Sequence, residues 1–419
     1  MDVKRLNQLV DEHKDELFAQ LCDLIKINSE NFGTHGNEKE CARYIHELCR
    51  ELGLESDFYS PMELDGFAEH PDYFPGHGVE DRYNTVAVWK GKQDVNELML
   101  MGHTDTVVIG DLANWSVDPL GGTIKDGKIY GRGACDDKYA LATVLFLIKL
   151  LKKEGFEPKA NLVFAAFCDE ELGGSHGAMA AVVKYPSNRI VCMDGRENQV
   201  WNVASGGQVV NYNFHVTHAV DSAIRTAEAL PIVIEELKKF GERRYAELEA
   251  NRFYAGTNIP GTSLRFMEVR AGDNGADMGV GKVQVTFYTD KSREEIWAEL
   301  HEMEKVLAER LAPMEIKGDG FTPFTRFFHY GFCEPDSKEI TELLEASQEA
   351  TGKQPLVCGS CLSDLSIVFK HGGPNSFAFG AGRGFDKTGG AHQPDEFIVC
   401  DDLVDYTKAI GAYILKVLG

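Results

Sequence analysis

Five groups of metal-binding or proton-transferring side chains punctuate the sequence, at positions where strands or loops should end. His103-Thr104-Asp105 closes Leu98-Met99-Leu100-Met101-Gly102. Asp136 follows Gly131-Arg132-Gly133-Ala134-Cys135, Glu170-Glu171 follow the strand candidate Leu162–Phe167, and Asp194 ends Ile190-Val191-Cys192-Met193. His392 lies far along the chain in Gly389-Gly390-Ala391-His392-Gln393-Pro394-Asp395-Glu396. These are enough donors for two divalent metals, with a carboxylate left to activate water, the chemistry of metal-assisted hydrolysis. His103 offers a neutral imidazole. Asp105, two residues on in extended chain, is placed to fix that ring's tautomer and orientation rather than to bind the same ion. A carboxylate at Asp136, next to glycines that permit close backbone approach, can bridge two metals. In a turn both Glu170 and Glu171 can face one pocket, one on metal and the other holding the proton of water. The Gly-x-Gly at 131–133 lacks the third glycine of a dinucleotide site.

The elements that must position these groups alternate. Apolar spacing predicts helices over 4–27 and 37–53, then strands at Thr85–Trp89 and Leu98–Gly102, a helix over 137–153, and strands at Leu162–Phe167, Ile190–Met193 and Ser376–Phe379. Alternation of this kind predicts an α/β fold whose site collects at the carboxyl ends of strands. The catalytic domain is expected to be discontinuous, 1–205 and 316–419, with a mixed central sheet flanked by helices. Residues 206–315 read differently, as strand, long helix, strand and helix, and predict an inserted, smaller α+β lid domain.

Composition narrows the function. The 419 residues carry 43 basic and 66 acidic side chains, a net charge of −23, which argues against nucleic acid and anionic membranes as partners. No apolar stretch is long enough to span a bilayer, and the opening Met1-Asp2-Val3-Lys4-Arg5, which leads into an amphipathic helix, is expected not to be a secretory leader. The ten cysteines show no zinc-finger spacing; Cys358-Gly359-Ser360-Cys361 is a CxxC without a second pair, and a reducing cytoplasm is the expected compartment.

The order His-x-Asp, Gly-Arg-Gly-x-x-Asp-x-Lys, Glu-Glu, Asp, His resembles the M20 family of metallopeptidases, deacylases and dipeptidases. The likeness begins near Asn84, is dense over 98–195 with Trp115-x-x-Asp118-Pro119 and Asp126-Gly127-Lys128-Ile129-Tyr130, and resumes at 359–405. It implies that His103 and Asp194 hold one metal, Glu171 and His392 the other, and that Asp136 bridges them. It implies Glu170 as general base, Asp105 as the residue that orients His103, and a cis peptide after Asp136. The segment 206–315 would be a lid and dimerisation domain, with His218 stabilising an oxyanion. Arg265, Arg270 and Asn274 are candidates for gripping a substrate carboxylate. The implied cofactors are two zinc ions, with cobalt or manganese as alternatives. The implied substrate is a small N-acyl amino acid or dipeptide. Two departures stand out: Tyr139 occupies a position where a small residue is common, and Tyr288-Thr289-Asp290-Lys291-Ser292 replaces the lid's usual Asp-x-Arg. The alternatives are an M28-like aminopeptidase and a non-catalytic binding protein on the same fold.

Overall fold

The computed structural model describes all residues from 1 to 419 except Glu80, Ala219, Ala276 and Cys361. The chain begins with α1 (Val3–Lys26), α2 (Lys39–Glu51) and β1 (Glu55–Tyr59). Then come β2 (Asn84–Trp89), β3 (Gln93–His103), the short pair β4 (Thr123–Lys125) and β5 (Lys128–Tyr130), and α3 (Lys138–Lys153). β6 (Ala160–Phe167), α4 (His176–Lys184), β7 (Arg189–Cys192) and β8 (Gln199–Ala204) complete the first stretch. Next are β9 (Gly206–Val216), α5 (Ser222–Ala250), β10 (Leu264–Gly272), β11 (Val280–Thr289), α6 (Arg293–Leu311) and β12 (Ile316–Pro323). The chain closes with β13 (Gly331–Phe332), α7 (Lys338–Thr351), β14 (Val357–Ser360), α8 (Leu365–Ile367), a π-helical turn (Val368–Gly372), β15 (Ser376–Gly380), β16 (Phe397–Val399) and α9 (Cys400–Leu418).

Two compact units result: Met1–Val203 with Phe332–Cys358 and Ile367–Gly419, and Ala204–Gly331 with Gly359–Ser366. The larger unit holds a mixed sheet in the order β1-β2-β6-β3-β7-β15-β8-β13, with β14 also on β8. Its centre is parallel: β3 pairs with β6 and β7, and β7 with β15, while β2 and β8 run antiparallel on either side. The predicted strands read as apolar runs because both faces are covered. Every residue of β2 and β6 is buried. Helices α1, α3 and α9 pack into one hydrophobic core with Leu98, Leu100, Leu162 and Phe164.

Register matters here. His103 lies opposite Phe167 and Met101 opposite Cys192, so β3, β6 and β7 end almost level. Three parallel strands therefore deliver His103, Asp169-Glu170-Glu171 and Asp194 to one edge of the sheet.

The second unit is an antiparallel sheet, β10-β11-β9-β12, whose core residues such as Tyr212, Phe214, Val283 and Phe287 pack with Leu237, Phe240, Ile296 and Leu300 of α5 and α6. It runs to Gly331, past the boundary at 315 expected from the order of strands and helices. The reason is β12, which pairs with β9 from Ile316 to Pro323 and completes the sheet. Helix α5 runs to Ala250, with Pro231 inside it. Among the described residues, no helix is long and apolar enough to cross a membrane.

Buried Lys138, at the start of α3, ties the N-terminal helix to the sheet. Its Nζ donates to the carbonyls of Leu24 (3.0 Å) and Ile27 (2.7 Å), where α1 ends. Burial lowers its pKa from the usual lysine range, so the two carbonyls carry the whole of its satisfaction. Lys138→Met should take the donor from the Ile27 carbonyl, leave the Leu24 carbonyl with only the Ile27 N–H, and lower stability by about 1–3 kcal/mol in urea unfolding.

Candidate metal centre

At the carboxyl edge, four of the predicted residues meet. Nε2 of His103 lies 3.2 Å from Oδ1 of Asp136, and Nε2 of His392 lies 3.2 Å from Oδ2 of the same carboxylate. Nε2 of His392 is also 2.6 Å from Oε2 of Glu171. One side-chain atom each from His103, Asp136 and Glu171 falls within 4.8 Å of the others. Asp136 thus stands between the two imidazoles, one carboxylate oxygen toward each. The peptide bond from Asp136 to Asp137 is cis.

The electrostatics match a set of anions built around positive charge. Burial alone would raise Asp136, but hydrogen bonds from His103 and His392 hold it far below the usual carboxylate range. Burial and the neighbouring charge of Asp136 push Asp194 up to about 7 and raise Glu171 as well. His392 is pushed up to about 11, because Glu171 and Asp136 outweigh its desolvation. The two imidazoles lie between carboxylates that would otherwise repel. Two imidazoles and three carboxylates are also a donor set suited to zinc-type cations.

Asp105 does something the sequence did not show. The ring of His103 places Nδ1 2.9 Å from the main-chain oxygen of Asp105, whereas the Asp105 carboxylate is 3.7 Å away. The carboxylate instead accepts from the main-chain N–H groups of Glu170 (2.9 Å) and Glu171 (3.0 Å), and from Asn31 Nδ2 (2.8 Å). Asp105 therefore positions three site residues at once: His103 by its carbonyl, and Glu170 and Glu171 by its side chain. The Glu170 carboxylate is close enough that its charge helps raise His103 above the ordinary histidine range.

The turn carrying Glu170 and Glu171 starts at Asp169, a non-glycine residue with φ of +66°. Its fully buried carboxylate holds it there, accepting from Arg82 (2.7 Å) and bonding to His77 (3.0 Å) and His176 (2.5 Å). Arg82 also reaches Glu38 (2.8 Å) and Asn31 (2.9 Å). A Cβ on Gly174 would sit 2.0 Å from the Asp169 carboxylate, so the turn needs glycine there. None of Glu38, His77, Arg82 or His176 stood out in the sequence; His77 and Arg82 come from the irregular stretch 60–82, where spacing carries no periodic signal.

Two further residues lock the loops together. Arg132 Nη1 donates to Glu396 Oε2 (2.6 Å), and Oε1 of Glu396 accepts from Cys135 N (2.9 Å). This buried pair joins the segment bearing Asp136 to the one bearing His392; both residues stood in quoted motifs without a role. The Tyr139 hydroxyl lies 2.7 Å from the carbonyl of Met193 and accepts from Ala381 N (3.0 Å). The larger side chain at 139 thus pins the backbone on which Asp194 sits.

The remaining predicted residues belong to the second unit. His218 is exposed after β9, 3.5 Å from a Glu315 oxygen. Arg265 and Arg270 are exposed on β10, the latter 3.4 Å from Glu268. Asn274 accepts from Asp277 N (2.9 Å) and closes a turn. Cys358 of the CxxC is a free thiol, and Cys361 lies outside the described residues.

Residues 99–416 match the model of peptidase family M20/M25/M40, and the chain belongs to that family. The M28-like alternative is thereby set aside. Among curated proteins, a metallohydrolase of Methanocaldococcus jannaschii is 37% identical over 157 residues, 37% of this chain and 36% of that one. The succinyl-diaminopimelate desuccinylase of Wigglesworthia glossinidia brevipalpis is 40% identical over 98 residues, 23% of this chain and 26% of that one. The chain thus spans about a third and a quarter of the length of these relatives. The fold is that of the di-peptidase Dug1p from Saccharomyces cerevisiae, with a TM-score of 0.74 at 16% identity over 99% of this chain and 98% of that one.

Two measurements test the supporting shell. Tyr139→Phe should fold normally yet weaken zinc retention about 10–100-fold in chelator competition, the range typical for groups that orient ligands; unchanged affinity would show that Tyr139 only fills space. Burial and the charge of Asp105 push Glu38 up to about 8 from its ordinary 4.5. Between those values the folded chain holds a proton that the unfolded chain releases. The contribution of Glu38 to stability is therefore full below 4.5 and declines as pH rises to about 8. Glu38→Gln should flatten that decline in denaturant midpoints measured from pH 5 upward.

Proposed function

We propose that this chain is a dinuclear metal-dependent hydrolase that cleaves an amide or peptide bond in a small substrate, an N-acyl amino acid or a dipeptide. The observation that carries this reading is the convergence of His103, Asp136, Glu171 and His392 at the edge where β3, β6 and β7 end, beside Glu170. His103 and Asp194 would hold one ion, Glu171 and His392 the second, with Asp136 shared. Bound zinc, or cobalt or manganese in its place, supplies Lewis acidity that lowers the pKa of water and polarises a carbonyl.

The chain's own residues do the rest. Glu170 takes a proton from the attacking water and returns it to the leaving amine. Asp105 keeps Glu170 in place through its main-chain N–H, so the base does not drift when its own charge changes. Asp136 keeps both imidazoles turned inward. His218 is proposed as the donor to the oxyanion, and Arg265, Arg270 and Asn274 as contacts for a substrate carboxylate, on family resemblance. A homodimer formed through the second unit is supported by β10, an edge strand with Met267 and Val269 exposed. Cytoplasmic residence is supported by free, buried thiols such as Cys22, Cys41 and Cys49.

Hydrolysis of a pooled panel of N-acyl amino acids and dipeptides by zinc- or cobalt-loaded protein, read by mass spectrometry, tests the substrate class. Glu170→Gln should keep its metal content but lose about 10²–10⁴-fold in turnover. A near wild-type rate in that variant would remove Glu170 from the mechanism.

A further inference from the structure

A second convergence of imidazole and carboxylate lies in the same unit and shares no residue with the first. His70-Pro71-Asp72 repeats the His-x-Asp spacing of 103–105 within the irregular stretch 60–82. His371, from the π-helical turn Val368–Gly372, comes to it across 299 positions of sequence. One ligand atom from each of His70, Asp72 and His371 lies within 4.8 Å of the others. We propose that these three side chains form a separate site for a zinc-type divalent ion, which fastens the 60–82 segment to the turn at 368–372.

The geometry resembles that of the first cluster. Nε2 of His371 lies 2.9 Å from Oδ2 of Asp72. That falls within the 2.6–3.2 Å separating imidazole nitrogens from carboxylate oxygens among His103, Asp136, Glu171 and His392. Ligands about 2.0–2.2 Å from one ion sit roughly 3–3.5 Å apart, so little rearrangement separates an ion-free cluster from a loaded one. The rings of His70 and His371 meet edge to face, centroids 5.0 Å apart. Nδ1 of His70 accepts from the main-chain N–H of Asp72 at 3.1 Å, which fixes the ring and leaves Nε2, once its proton is released, as the nitrogen that would meet an ion.

Burial and donor type narrow the ion. The side chains of His371 and Asp72 are 14% and 8% exposed, so their attraction for a cation is poorly screened. His70 is only half-buried, which leaves a path for an ion and for water to complete its shell. Two imidazoles and one carboxylate favour zinc, cobalt or nickel over magnesium or calcium, which prefer oxygen donors alone. The place gives the ion a task. Beyond Asp72, the same segment supplies the Phe74 N–H that donates to Nε2 of His176 (3.2 Å), and the His77 and Arg82 side chains that hold Asp169. An ion at His70, Asp72 and His371 would anchor the segment that braces the turn before Glu170.

Zinc content after dialysis, measured by plasma mass spectrometry on the full chain, tests this. His371→Ala and Asp72→Asn should each bind one zinc fewer than wild type, with unchanged circular dichroism. His103→Ala/His392→Ala should still retain one zinc, which separates this site from the dinuclear reading whether or not the latter stands. Added zinc should slow amide exchange across residues 60–82 in wild type and leave it unchanged in His70→Gln, a milder variant. Equal zinc content in wild type and both single variants, or no zinc left in the double variant, would overturn the proposal and leave Asp72 and His371 as a simple hydrogen-bonded pair.

Discussion

A carboxylate taken out of water must find positive charge or N–H groups, and one edge of this sheet buries several within a few residues of one another. Asp105, Asp136, Asp169 and Glu171 are all withdrawn from solvent there, and each is answered in a different way. Asp105 is answered by main-chain N–H groups, Asp169 by Arg82 and two histidines, and Asp136 and Glu171 by imidazoles. Burial and the charge of Asp136 hold Glu171 and Asp194 above the usual carboxylate range, and Glu171 and Asp136 together hold His392 far above the usual histidine range. Main-chain N–H groups and the Arg82 guanidinium answer the outer carboxylates; the crowded inner ones are left in a state that a doubly charged cation relieves best.

That division explains which parts were legible in the sequence. His103, Asp136, Glu170-Glu171 and Asp194 could be read because each follows a run apolar enough to be a buried strand or stands among glycines, and a charge at such a place needs a reason. The strands and helices around them were readable on the same grounds, since full burial removes polar residues from both faces. His392 was found through its motif rather than through any periodicity.

The unread parts have a common physical origin. Arg82 and His77 come from a stretch with no repeating pattern, and Glu38 precedes a helix by one residue, a place where acids are ordinary. Their partnership with Asp169 exists only in three dimensions. Asp105 was expected to address His103 with its side chain; that task fell to its carbonyl, because the carboxylate lies where the Glu170 and Glu171 amides turn toward it. The limit of the second unit was misplaced for another reason. β12 contains Gly318, Gly320 and Pro323 and does not read as a strand, yet it is held by pairing with β9.

The Arg132–Glu396 pair spans 264 positions of sequence, with the whole second unit between its partners. Ribosomal synthesis at about 5–20 residues per second places roughly 13–50 s between the emergence of the two side chains. Through that interval Asp136 and Glu171 exist in a nascent chain without His392, and Arg132 without its counter-ion. A metal captured in that window would meet an incomplete set of ligands. The topology therefore makes the order of assembly a matter of translation as well as of energy: His103, Asp136, Glu171 and Asp194 are made early, while the site must wait for His392 on the last loop.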